Sequence, residues 1–181
     1  MEGAGEDPYL GAAMAAAQVR GFQGEYPGAP EHVVACAKHF AGDGGTLWGT
    51  GHPRDSAPEA PWGLDQGDTR LGEKEFRKLH VNHYKALIRS GVGSIMPSFS
   101  SWNGLKCSAK RHLLTDILKK ELRFEGFLIS DWAAIEQLPG SYAEQIASSI
   151  NAGMDMVMVP IRYAEFVATL KGLVEAGKVP L

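Results

Sequence analysis

Three short clusters in this 181-residue chain hold side chains that could do chemistry. Lys38-His39 closes one apolar run, Ser98-Phe99-Ser100 closes a second, and Asp131-Trp132 follows Phe127-Leu128-Ile129-Ser130. A carboxylate, an ammonium and an imidazole with an indole beside them suit a polyhydroxylated ring, because polar groups bind hydroxyls and an indole lies against C–H faces. Asp131 is the candidate reactive group. An aspartate where a strand meets a helix also serves as a helix cap, and from its local context the two readings weigh about evenly. Lys38 and His39 have a plain reading too, as a lysine lying along a rim and a hydrogen-bonded histidine. Asp43, Asp65, Asp68 and Glu136 read most simply as loop, turn or helix-surface charges.

Other chemistries find less support. Neither G-x-x-x-x-G-K-[ST] nor G-x-G-x-x-G occurs, and Gly42-Asp43-Gly44-Gly45-Thr46 would set a carboxylate against a phosphate. His80 and His83 lie close together without an H-E-x-x-H pattern, so no metal is expected. Ser98 and Ser100 stand outside any G-x-S-x-G elbow. No cofactor is called for. Lys+Arg 18 against Asp+Glu 21 gives a formal charge of -3, which offers nothing to nucleic acid. No apolar run approaches the ~20 residues of a membrane helix, and no basic stretch leads into a hydrophobic one at the start. Cys36 and Cys107 read as two free thiols or one optional bridge, and the compartment stays open.

The elements that must position these residues alternate. Helical spacing appears over residues 9–23, 73–90, 108–122 (with Ser108 as a cap), 142–151 and 163–176, and short apolar runs suited to strands over 32–38, 92–98, 126–130 and 154–159. The helix over 73–90 should bury Phe76, Leu79, His80, Tyr84, Leu87 and Ile88. Such alternation predicts an α/β protein with a parallel sheet covered by helices. Polar residues at the carboxyl ends of successive strands fit the active face of a (β/α) barrel, although an open sheet's crevice would gather them equally. Residues 42–70, with Trp48 and Trp62, form the one long irregular stretch, and loops of that length are usually functional or disordered. With 44% hydrophobic content, one domain is expected.

Four motifs in order, Lys38-His39-Phe40 with Gly42-Asp43-Gly44-Gly45-Thr46, Ser100-Ser101-Trp102-Asn103-Gly104, Gly126 through Trp132, and Ala152-Gly153-Met154-Asp155-Met156, resemble glycoside hydrolase family 3. Gly5-Glu6-Asp7-Pro8 and Arg20-Gly21-Phe22-Gln23-Gly24 are similar to that family as well, so the resemblance spans essentially the whole chain. Within the family, the motifs are most similar to the β-glucosidase and exo-β-glucanase branch.

The resemblance implies alternating βα units of a TIM-type (β/α)8 barrel with about half of the barrel present, and a retaining mechanism in which a carboxylate attacks the anomeric carbon. Asp131 matches the nucleophile. Lys38 and His39 match residues that hold hydroxyls of the non-reducing-end sugar, Trp132 an aromatic lining the next subsite, and Met96 and Phe99 the pocket border. Plant relatives place a tyrosine where Phe99 stands, so this ring brings no hydroxyl, and Gln137 falls near an arginine of some relatives. An early aspartate, an arginine and the acid/base glutamate of a second domain have no counterpart. The chain is therefore expected to be a fragment with little activity alone, prone to self-association or to pairing with a complementing chain. Its expected partner is a β-glucoside or β-glucan oligosaccharide, with neither nucleic acid nor membrane. Family members are often secreted or periplasmic. Two alternatives remain: an N-acetylglucosaminidase using His52, and a non-catalytic carbohydrate-binding half-barrel.

Overall fold

A computed structural model describes residues 5–24, 28–51 and 63–180. His52 and Trp62 lie outside them. Helix α1, Pro8–Gln23, starts where Asp7 accepts hydrogen bonds from the Tyr9 and Leu10 amides, and it ends at Gly24 with φ 60°. Its inner face carries Ala16, Val19 and Gln23. The Gln23 side chain donates to Gly91 O (2.7 Å) and accepts from the amides of Ala35 (3.0 Å) and Gly93 (2.9 Å). One buried amide thus ties the helix to the entry of two strands.

Those strands are β1 (Cys36–Phe40) and β3 (Ser94–Pro97), paired in parallel with Lys38 opposite Met96 and an irregularity before Phe40. Strand β6 (Phe127–Leu128) pairs in parallel on the far side of β3, and Ile129 bridges to Met156 in the same sense. The order is therefore β1, β3, β6 and the Met156 segment, a parallel sheet of consecutive βα units: the expected α/β fold and part of a barrel wall. A Cβ at Gly126 would lie 2.3 Å from the Gly93 carbonyl oxygen, so β3 and β6 approach this closely only because residue 126 has no side chain.

Four expectations shift, the first being that the strand expected over 154–159 is reduced to the single bridge at Met156. The first strand begins at Cys36 rather than residue 32, because the Val33 and Ala35 amides are taken by Phe22 O and Gln23 Oε1. Val33 and Val34 stay 63% and 61% exposed. The helix from residue 73 runs as α2 (Glu73–Phe76), a π-helical segment (Arg77–Val81) and α3 (Tyr84–Arg89). The wider winding turns the buried face, so Val81 enters the core and Leu79 is exposed. Ser108 does not cap a helix: it is buried in the 3₁₀ turn Cys107–Ala109, and the π-helical segment His112–Glu121 starts after Arg111 without a side-chain cap. That segment still buries Leu113, Leu114, Ile117 and Leu118 against Ile95 and Leu128, while α4 (Tyr142–Ala152) and α5 (Tyr163–Glu175) enclose a second apolar cluster around Ile146 and Leu173.

A small sheet leans over this wall. Strand β2 (Asp68–Thr69) pairs in parallel with β4 (Ser101–Trp102), which turns back through Asn103-Gly104 into β5 (Leu105–Lys106). Asp68 accepts from the Gly104 amide at 2.8 Å, the turn role its sequence context suggested. The irregular stretch after residue 42 is closed at its base, where the amides of Gly49 and Gly51 both donate to Gly63 O at 2.9 Å. Cys36 and Cys107 are free thiols.

Candidate active site

The carboxyl end of β1 carries Lys38 and His39, and the tight turn Asp43–Gly45 follows at once. Gly42 makes that turn fit: its φ is 106°, and a Cβ there would reach within 2.9 Å of the Phe76 ring and 3.0 Å of Thr69 Oγ1. The buried Thr69 hydroxyl donates to Gly42 O at 2.7 Å, so the turn lies flat against the fold and Asp43 points back to the strand it came from.

His39 stands between two carboxylates. Its Nδ1 is 2.9 Å from Asp43 Oδ2 and its Nε2 is 3.3 Å from Asp131 Oδ2. Asp43 is held in turn from the β3 side: Ser98 Oγ donates to Oδ1, Ser100 Oγ reaches the same oxygen at 3.4 Å, and the two hydroxyls lie 2.5 Å apart. Partial burial works against charge on Asp43, but the hydrogen bonds from His39, Ser98 and Ser100 outweigh it and hold the carboxyl below its usual range. The hydrogen bond to Asp43 raises the His39 pKa, with the charges of Asp43 and Asp131 adding to it against partial burial and Lys38.

Asp131 itself follows β6. Ser130 is buried and locks this junction, accepting from the Met158 amide (2.8 Å) and donating to Asp131 O (2.9 Å). Asp131 Oδ1 accepts from the Trp132 amide at 2.7 Å. Oδ2 faces His39 Nε2, so both carboxylate oxygens lie against nitrogen atoms that orient the group. The Asp131 side chain keeps 20% exposure, and Trp132 beside it is 61% exposed.

The array therefore runs Ser98/Ser100, Asp43, His39, Asp131, across the ends of three adjacent strands. It is not a serine triad, because the serines touch the carboxylate and not the imidazole. An oriented and solvent-reachable carboxylate is what it offers to chemistry. Of the other sequence candidates, Met96 is half-buried in register with Lys38, and Phe99 is half-buried after β3 with its carbonyl accepting from Lys106 Nζ at 2.7 Å. Lys38 lies close enough for its charge to act on His39. Gln137 donates to Gln66 Oε1 at 2.7 Å, linking the loop after β6 to the one before β2.

Asp43 was the residue sequence reasoning passed over: a glycine-rich turn suggested a loop charge, whereas the carboxylate joins the site. Its position four residues after His39 was the available signal, since a tight turn brings that spacing face to face.

Comparison with known proteins points one way. The family description "Glycosyl hydrolase family 3 N terminal domain" matches residues 1–181. A β-xylosidase of Formosa agariphila is 34% identical over 167 residues, 87% of this chain and 21% of the relative. A lysosomal β-glucosidase of Dictyostelium discoideum is 34% identical over 188 residues, 97% of this chain and 21% of the relative. The crystal structure of an exo-1,3/1,4-β-glucanase from a Pseudoalteromonas species superposes with a TM-score of 0.83 at 40% identity, covering 96% of this chain and 20% of that one. The chain thus spans about a fifth of the length of these relatives.

Proposed function

The chain belongs to glycosyl hydrolase family 3, and on that footing we propose that it carries the nucleophile half of a retaining β-glucoside hydrolase. Asp131 attacks the anomeric carbon, the glycosidic C–O bond breaks with its electron pair leaving on the aglycone, and a glycosyl ester forms. The observation that supports this reading best is the fixed geometry of Asp131, with one oxygen facing His39 and the other facing the Trp132 amide at the carboxyl end of a barrel-wall strand. Lys38 binds sugar hydroxyls, His39 shares its Nε2–H between Asp131 and the sugar, Trp132 lines the neighbouring subsite, and Met96 and Phe99 border the pocket. The substrate is the non-reducing-end glucose of a β-glucoside or β-glucan oligosaccharide.

Retaining hydrolysis also needs a proton donor ~5–5.5 Å from the nucleophile. Asp43 is the other carboxylate in contact with the array, and it is held ionised with no proton to give. The acid/base group and the remaining barrel strands come, in this reading, from outside the 181 residues, which form part of a larger catalytic domain.

An activated inactivator separates nucleophile from acid. 2,4-Dinitrophenyl 2-deoxy-2-fluoro-β-glucoside has a leaving group that needs no protonation, so the chain should gain the mass of one fluoroglucosyl group on the peptide containing Asp131. Asp131→Asn should gain none while still folding. Labelling of Asp131→Asn, or none of the unaltered chain, would remove Asp131 from the nucleophile role.

A further inference from the structure

We infer that Asp43 is a positioning residue for the nucleophile: anchored by Ser98 and Ser100, it fixes the His39 ring so that Nε2–H is presented to Asp131 Oδ2. The inference rests on Asp131 being the nucleophile, and it assigns a task to a carboxylate that acts on Asp131 through the His39 ring.

The geometry has three parts. Asp43 Oδ2 meets His39 Nδ1 at 2.9 Å, which sets the rotation of the imidazole. That rotation aims Nε2 at Asp131, 3.3 Å away. Asp43 cannot turn aside, because Ser98 and Ser100 hold its other oxygen and Gly42 keeps the turn flat against Phe76 and Thr69. β1 alone would leave His39 free to rotate; the support reaches it from β3 through two fully buried hydroxyls.

The chemistry follows from proton inventory. Asp43 accepts from Nδ1–H, so an imidazole that loses one proton loses it from Nε2. A protonated His39 therefore donates to Asp131, whereas a neutral one turns a lone pair toward a carboxylate. The first arrangement holds the carboxylate plane for attack; the second repels it. The charged groups facing this pair are Asp131 and Lys38 around His39, and His80 across the turn from Asp43. Tyr84 and Cys107, both buried, also sense the Asp43 charge, and burial keeps them neutral by pushing the phenol up and the thiol to about 11. His80 is kept toward its neutral form by burial, against the pull of Asp43. The ionisation that changes the array as pH rises is thus that of His39.

Fluoroglucosyl labelling provides the test, followed by intact mass across pH for the unaltered chain, Asp43→Asn, Asp43→Glu, Ser98→Ala and Asp131→Asn. In parallel, the His39 titration is read from imidazole nitrogen and carbon shifts by NMR. Asp43→Asn should label about 10–100-fold more slowly near neutral pH, the scale set by losing orientation of a reacting group. Its half-saturating inactivator concentration should change little. Its fall in rate with rising pH and its His39 titration should both move to lower pH, because the hydrogen bond and the charge of Asp43 that raised the His39 pKa are gone. Asp43→Glu should restore part of the rate and return the fall toward its original pH, a result that packing alone would not give. Ser98→Ala decides the matter should Asp43→Asn lose its folded circular dichroism: it keeps the carboxylate, removes one anchor, and should slow labelling severalfold. Asp43→Asn or, in its place, Ser98→Ala labelling at the unaltered rate with an unmoved pH profile would overturn the positioning role while Asp131→Asn remained unlabelled. Labelling of Asp131→Asn would instead overturn the nucleophile reading beneath it.

Discussion

The His39–Asp43 pair sets a pH window. His39 has a raised pKa, so its contribution to stability is full below its ordinary value near 6.5 and fades as pH rises through the raised one. Asp43 has a lowered pKa, so its contribution is full above its ordinary value near 3.8 and fades as pH falls through the lowered one. Both are charged in the interval between. With side-chain exposures of 28% and 43%, solvent screens the pair, and about 1 kcal/mol is the most it should contribute. Asp43→Asn should therefore cost most between the two titrations and keep only the part due to Ser98 and Ser100 once pH has risen past that of His39, which urea melts at two pH values would show. A penalty growing toward alkaline pH would contradict the assignment. The cysteines make a second contrast at this scale. Burial pushes Cys107 up to about 11, whereas Cys36 is exposed, so iodoacetamide should modify Cys36 in the folded protein and reach Cys107 only on unfolding.

Among elements, the joints matter more than the elements. Gln23→Ala would leave the amides of Ala35 and Gly93 and the carbonyl of Gly91 without their partner, a cost of about 2–4 kcal/mol. Gln23→Glu keeps the two acceptor contacts but sets a carboxylate oxygen against Gly91 O, and its melting midpoint should fall between those of Gln23→Ala and the unaltered chain. Gly126→Ala should be at least as damaging as Gln23→Glu, because the clash falls on the Gly93 backbone and not on a side chain that can swing away. Chemical denaturation ranks all three. These joints also show what the sequence could tell. Alternation of apolar runs and amphipathic segments located the main helices and the parallel sense of the sheet, because those follow from local period. The reach of Gln23, the π winding that exchanges Leu79 for Val81, and the start of β1 at Cys36 depend on which amides and faces meet in three dimensions. The same distinction holds in the site: Lys38, His39 and Asp131 stood out as polar endings of apolar strands, while Asp43 looked like any turn aspartate until His39 and the two serines closed on it.

At the scale of the whole molecule, β1 pairs only with β3, and the Met156 segment only with Ile129, among the described residues, so the parallel sheet has two open sides. Val33, Val34, Trp48, Met156 and Ile161 are all exposed. Open strand edges and uncovered apolar side chains favour association. The purified chain should accordingly elute from size exclusion larger than a monomer as concentration rises, and on p-nitrophenyl β-glucoside it should turn over far below the ~1–1000 per second of ordinary enzymes. A stable monomer with normal turnover would show that the 181 residues hold their own acid/base. The exposed ring beside Asp131 offers a way to watch the site directly. Trp132 follows Asp131 and faces solvent, while Trp102 is sealed beneath Phe76 and Leu71 O. Because Trp48 is exposed as well, the reading is made with Trp48→Phe and Trp62→Phe in place, where acrylamide should quench Trp132 and spare Trp102. A sugar settling beside Asp131 would shield Trp132, shift its emission toward the blue and blunt the quenching, so occupancy becomes readable as light from a side chain the protein already has.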